Sequence, residues 1–316
     1  MKLAFFFVFS FFCSIFFNNR LLFNLLSGKK DKLLDIKFIK LQNCGKDYIL
    51  FDNLNNQIKG YTVFPEISKN ITNRNLGVGG FGFIILFKTD DGVINARAFN
   101  NGEEIDFAPE ALLCIGRYAF DSGYLSRKQG KLRTRLKTYI LNIIDSRNVT
   151  INIGPPNIWD KSDEIVEDPD LNISKSIQIE EKNYTYTPLN LMNFHISLFV
   201  ENFEFNFNKL SRQISSNPEF PSVPFIEFVQ VYSREEIRIK TREPDKPGNV
   251  SSASGSCAAA IVSVLLGFTD REIVVHNRGG DYIINWNVDN NSVYLTGTVD
   301  YTFTGNYYYN TPDKEK

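Results

Sequence analysis

The sequence predicts an α+β fold built from two similar halves, and three observations carry that expectation. Short segments of alternating apolar residues recur along most of the chain. Only two stretches read as well-punctuated helices, one in each half. Helices do not alternate with single strands, which argues against a doubly wound parallel sheet. The chain has 316 residues, 43% hydrophobic and 22% charged, with a formal net charge of -1. That is ordinary globular usage with enough apolar material for a sizeable core. A balanced charge excludes a nucleic-acid binder driven by charge alone. Four cysteines are too few for a disulfide scaffold.

The elements follow in order. Residues 3–17, LAFFFVFSFFCSIFF, are shorter than a bilayer-spanning helix and suit a signal-peptide apolar region, but the flanks lack a small-residue cleavage site. Residues 1–32 are therefore set aside as an apolar extension, either membrane-directing or dispensable. Strands are expected at 35–41 and 48–51, with Cys44-Gly45-Lys46-Asp47 as the turn between them. GVGGFG at 77–82 is a glycine-rich turn before a buried-type strand at 83–87, and residues 93–99 alternate well. GVGGFG lacks the strand-before, helix-after setting of a dinucleotide site, and no P-loop Lys-Ser/Thr follows it. No Cys/His cluster has zinc spacing. Pro109 opens a helix over 110–120, and Asp121-Ser122-Gly123 ends it. Strands are expected at 137–145 and 149–153, followed by an acidic loop over 159–170.

In the second half, strands are expected at 184–188, 193–200, 225–232 and 237–241. The clearest helix comes next: Ser251 or Ser252 can cap it, residues 258–266 fill it and Gly267 ends it. Three strands finish the chain, turning at 278–281 and 289–291, with the last pairing at 293–303. The expected division is 33–188 and 189–308, with a polar tail at 309–316. Each half is expected to bury its own central helix, with no single sheet running through both.

Several stretches carry a family resemblance: FIKLQNCGKDYILFD, FNNGEEIDFAPEALLCIGRYAFD, INIGPP, NFHISLFVEN, IEFVQVYSREEIRIKTRE and SSASGSCAAAIVSVLLGFTDREIVVHNRGGDYIINW. With these the chain resembles diaminopimelate epimerase. The resemblance implies two α/β halves, each wrapping a curved sheet round a central helix, with the active site in the cleft between them. It also implies chemistry with two thiols at helix N-termini and no metal or pyridoxal cofactor. One thiolate removes an α-proton and the opposite thiol returns it.

The same resemblance exposes departures. Counting back from Cys114 and Cys257, the two thiol positions correspond to Ala108 and Ser252. The Asn of the first Gly-Asn-Asp-Phe motif corresponds to Lys46, a second Asn corresponds to Phe225, and the Arg after Glu243 is replaced by Pro244. Pro109 deletes an N–H from the first helix terminus. Retained matches are Asn100, Asn193, His195, Glu243 and Gly255; Asn193 and His195 read equally as strand-end structural residues, and Glu243 as a solvated loop residue. Cys114 and Cys257 read as small buried hydrophobes.

Three functional readings stay open. One is an inactive family member that retains small-molecule or partner binding. The second is a cofactor-independent isomerase with a carboxylate base, Glu110 first, then Asp106 or Glu243; Glu110 reads equally as a residue favoured at a helix N-terminus. The third is the family's own LL- to meso-diaminopimelate conversion. The resemblance implies an amino-acid-like ligand, a homodimer and a cytoplasmic location; membrane contact or export through residues 3–17 is the alternative. No nucleic-acid partner is expected.

Overall fold

The structure is a computed structural model, and it describes residues 33–59, 62–88, 93–125, 128–157, 173–218, 220, 222–244 and 251–310. The apolar extension, the acidic loop at 159–170, most of the polar loop before the last helix and the tail 311–316 lie outside the described residues. Residues 38–305 belong to one compact unit. The described ends 33–37 and 306–310 belong to a second, within which Asn306 Nδ2 donates to Asp35 Oδ1 at 2.8 Å.

The first half runs β1 (Leu33–Asn43), β2 (Lys46–Asp52), α1 (Phe64–Ile71), β3 (Gly82–Lys88), β4 (Ile94–Asn100), β5 (Glu103–Ile105), α2 (Pro109–Asp121), β6 (Gln129–Arg133), β7 (Thr138–Ile143) and β8 (Asn148–Gly154). The second half runs β9 (Lys175–Ile179), β10 (Lys182–Leu191), β11 (Asn193–Phe199), α3 (Phe207–Ser215), β12 (Phe225–Val231), β13 (Glu236–Arg242), α4 (Ala253–Leu265), β14 (Glu272–Asn277), β15 (Gly280–Trp286) and β16 (Val293–Asn310).

Strand pairing makes the repeat explicit. From β1 to β8 the neighbours pair antiparallel, parallel, antiparallel, parallel, antiparallel, antiparallel. From β10 to β16 the same series recurs. Parallel neighbours need a crossover, which a helix commonly supplies. Each parallel pair accordingly brackets one: α1 and α2 in the first half, α3 and α4 in the second.

Two expectations are corrected here. The sequence reading has one helix per half, whereas each half has two among the described residues. Both additional helices are short and amphipathic. Phe64, Ile67 and Ile71 bury one face of α1, and Ile214 anchors α3 over a satellite core with Ile196, Leu198, Ile226 and Phe228. The sheet also does not stop between the halves. β16 pairs with β15 on one side and antiparallel with β8 on the other, so a single hydrogen-bonded path runs through both. The long last strand satisfies backbone groups that would otherwise leave β8 an open edge.

The two central helices are buried as expected. Small residues fill α4: every position from Ala253 to Ser263 is buried. A helix buried on all sides needs small side chains for the surrounding sheet to approach. Ser252 caps it by accepting the Gly255 N–H at 3.2 Å. α2 starts at Ala108, which offers no side-chain cap, and Pro109 gives up one N–H at the first turn. Both helices share one core with Leu41, Leu50, Ile84, Val149, Ile237 and Trp286.

The glycine-rich turn has a packing role. A Cβ at Gly77 would stand 2.1 Å from the Asn70 carbonyl, and Gly79 takes φ +75° while its carbonyl accepts the Lys40 ammonium at 2.7 Å.

Leu113 on α2 is fully buried, and its Cδ1 lies 2.8 Å from where a Cβ at Gly297 on β16 would stand. We expect Leu113→Ala to destabilise by about 2–5 kcal/mol through lost burial and the cavity left behind. Leu136→Ala, at a residue 64% exposed, should stay within about 0.5 kcal/mol of the parent. Urea unfolding of both variants checks the contrast.

Candidate functional site

The N-termini of α2 and α4 meet inside the compact unit. Glu110, in the first turn of α2, accepts the backbone N–H of Ala253, the first residue of α4, at 2.9 Å on Oε1. The Lys46 ammonium, at the start of β2, lies 2.9 Å from the same Oε1 and 2.6 Å from Glu243 Oε1, just past β13. All three charged side chains are buried, at 5%, 1% and 8% exposure. The ring of Phe81 covers the ammonium at 4.8 Å. Burial alone would pull the Lys46 pKa down; Glu110 and Glu243 outweigh it and hold the ammonium above its ordinary value.

A second buried pair stands behind the α4 terminus. His195 Nδ1 on β11 lies 2.9 Å from Glu227 Oε1 on β12, and neither side chain has any exposure. Burial pushes the Glu227 carboxyl up, although His195 pulls it the other way. A Cβ at Gly255 would stand 2.7 Å from Glu227 Oε1. Only glycine therefore lets the α4 terminus pack this closely on the carboxylate.

These groups border a cavity of about 740 Å³ lined from both halves, a size suited to a small molecule. Of the residues picked from sequence, Ala108, Glu110, Asn193 and Glu243 line it, as does Asp106, whose carboxylate pairs with Arg135 at 2.7 Å. Ser252, His195 and Gly255 sit in the buried wall rather than on the cavity. Asn100 is not among the lining residues; it ends β4 opposite Glu103 at a tight turn. Glu243, read alternatively as a solvated loop residue, is buried and ion-paired.

Ala108 and Ser252 occupy the N-cap positions of α2 and α4, equivalent places in the two halves. Cys114 and Cys257 are fully buried further along these helices, and burial raises both thiols above the ordinary range. No cysteine lines the cavity among the described residues.

Sequence reasoning treats Lys46 only as a departure and passes over Glu227. The available signals are a single carboxylate inside the apolar strand FIEFVQV and a cation opening the strand KDYILFD.

The pKa directions predict alkaline sensitivity. Lys46, Cys44, Cys114, Cys257, Tyr48 and Tyr282 are all raised above their ordinary values, Cys44 to about 11. A raised folded-state pKa contributes stability that is whole below the unfolded pKa and lost as pH climbs towards the folded value. We expect urea midpoints to fall progressively from about pH 9, where unfolded thiols begin to ionise. Midpoints unchanged from pH 7 to about pH 11 would contradict these environments. Lys46→Met should destabilise by about 3–5 kcal/mol at neutral pH, because it strands two buried carboxylates.

The diaminopimelate epimerase family profile matches residues 190–302. A diaminopimelate epimerase from Desulfitobacterium hafniense is 28% identical over 276 residues, spanning 85% of this chain and 97% of that protein. One from Methanococcus maripaludis is 26% identical, spanning 85% and 99%. Among solved structures, a hydroxyproline epimerase from Agrobacterium vitis superposes with a TM-score of 0.60 at 10% identity, covering 88% of this chain and 94% of that one. A phenazine biosynthesis protein of the PhzF family from Enterococcus faecalis gives 0.61 at 11% identity, covering 87% and 100%. Those two likenesses concern the fold. With its repeated strand order and its paired helix termini, the chain is similar in sequence to diaminopimelate epimerases over most of its length.

Proposed function

We propose that this protein is a family member that binds a small molecule in the cleft without epimerising it. The observation that carries the reading is the chemistry at the two N-caps, Ala108 and Ser252, where the family resemblance puts its two thiols. A methyl group moves no proton. The Ser252 hydroxyl is buried and committed to the Gly255 N–H. Across from it, the Lys46 ammonium is already paired with both Glu110 and Glu243 where a substrate's charges would be held.

A second reading is isomerisation with Glu110 as the base, favoured by its place on the cavity wall. Against it, Oε1 of Glu110 is engaged by both the Lys46 ammonium and the Ala253 N–H.

Incubation of the full chain with LL-diaminopimelate and a panel of amino acids in heavy water separates the readings. We expect no deuterium at any α-carbon beyond the uncatalysed background. Exchange at about 1 s⁻¹ or faster would overturn the proposal, and its abolition by Glu110→Gln would favour the carboxylate base. Ala108→Cys combined with Ser252→Cys should also remain without diaminopimelate epimerase activity. The thiols would supply bases, but Lys46, Phe225 and Pro244 would still lack the substrate contacts, each worth roughly 1.5–3 kcal/mol when charge-assisted. Appreciable racemisation by this double variant would mean that only the bases had been lost.

A further inference from the structure

Four cationic side chains reach the cavity wall: Lys46, Arg97, Arg135 and Lys137. Arg97 pairs with Glu104 at 2.5 Å and Arg135 with Asp106 at 2.7 Å. Lys46 has its two carboxylates. Lys137 differs. Among the described residues it has no carboxylate partner; its ammonium donates to the Ile153 carbonyl at 2.7 Å and lies 4.6 Å from the centre of the Tyr139 ring. The residue is exposed, and partial burial lowers its pKa.

At the inner end the charges already balance. Glu110 and Glu243 bring two negative charges and Lys46 one positive. The two helix N-termini that meet there add roughly half a positive charge each. The arrangement also has the form of an amino-acid head group. The Lys46 ammonium sits on the carboxylate of Glu243 at 2.6 Å, and the Glu110 carboxylate sits on a helix N-terminal N–H at 2.9 Å. A free α-amino acid would need those same partners.

We infer that Lys46 and Glu110 act as a built-in stand-in for an amino-acid head group, and that the cavity takes a small carboxylate without an α-ammonium, its anion held by Lys137. The inference rests on the binding reading above and narrows it to a ligand class. A carboxylate at Lys137 pairs with its ammonium and makes a charge-assisted hydrogen bond. An ammonium at the inner end would compete with Lys46 for carboxylates already occupied.

Calorimetric titration of the full chain with pimelate and with LL-diaminopimelate tests this, because the two share a carbon skeleton and differ by two ammonium groups. We expect pimelate to bind and diaminopimelate to bind at least about tenfold more weakly. Lys137→Met should weaken pimelate by about tenfold or more, and Lys137→Arg should keep it within about threefold. Thermal unfolding of both variants near the parent midpoint would show that each remains folded. Diaminopimelate binding as tightly as pimelate would overturn the inference. So would an unchanged affinity in Lys137→Met, or no pimelate binding up to about 10 mM. Calorimetry needs no turnover, so these results are read separately from proton exchange. Tight diaminopimelate binding without exchange sinks this inference alone, whereas exchange at an amino acid's α-carbon sinks the proposed function and this inference with it.

Discussion

The Lys46 ammonium between Glu110 and Glu243 organises the interior of this molecule. Its three charges come from β2, α2 and the end of β13, and Glu110 carries the connection on to the first amide of α4. A strand and a helix of each half are thereby tied at a single buried point. Burying three charges is expensive unless each has its partners. Here two carboxylates share one ammonium, and two helix termini supply the remaining positive potential. Removing any member leaves the others uncompensated, so the network specifies how the α2 and α4 termini approach each other.

The repeated strand series explains why those termini meet. Each half needs a crossover helix between its inner parallel strands, α2 in one and α4 in the other. The pairing of β8 with β16 then joins the halves into one sheet path and one shared core. Bringing two helix N-termini together concentrates amide donors and positive potential in one place. In this chain the protein's own carboxylate, Glu110, takes up part of that potential. The cavity beside it is left with one lining cation, Lys137, that has no carboxylate partner among the described residues.

Much of this was legible in the sequence. Pro109 and Gly123 mark the limits of α2, and Ser252 with Gly267 marks those of α4, because caps and breakers act locally. Most strands show through their alternation. The helices α1 and α3 were not legible: FPEISKNI and FNKLSRQIS are short, polar on one face and stable only against the sheet. The join between β8 and β16 depends on pairing across more than a hundred residues, which no local pattern encodes. At the site, Ala108, Glu110, Asn193 and Glu243 were found as individual positions, but their assembly was not. Lys46 reads from sequence as an intrusive cation; only its distances to Glu110 and Glu243 make it the centre of the network. Asn100 ends β4 opposite Glu103, apart from the cavity lining, and an asparagine before a glycine does not reveal that placement.

A double-mutant cycle between Lys46 and Glu110 tests this account most directly. Stability would be measured by urea unfolding for the parent, Lys46→Met, Glu110→Gln and the double variant. The account predicts a coupling energy above about 2 kcal/mol, with the double variant more stable than the sum of the single losses implies. A coupling below about 0.5 kcal/mol, the size of an exposed ion pair, would contradict it.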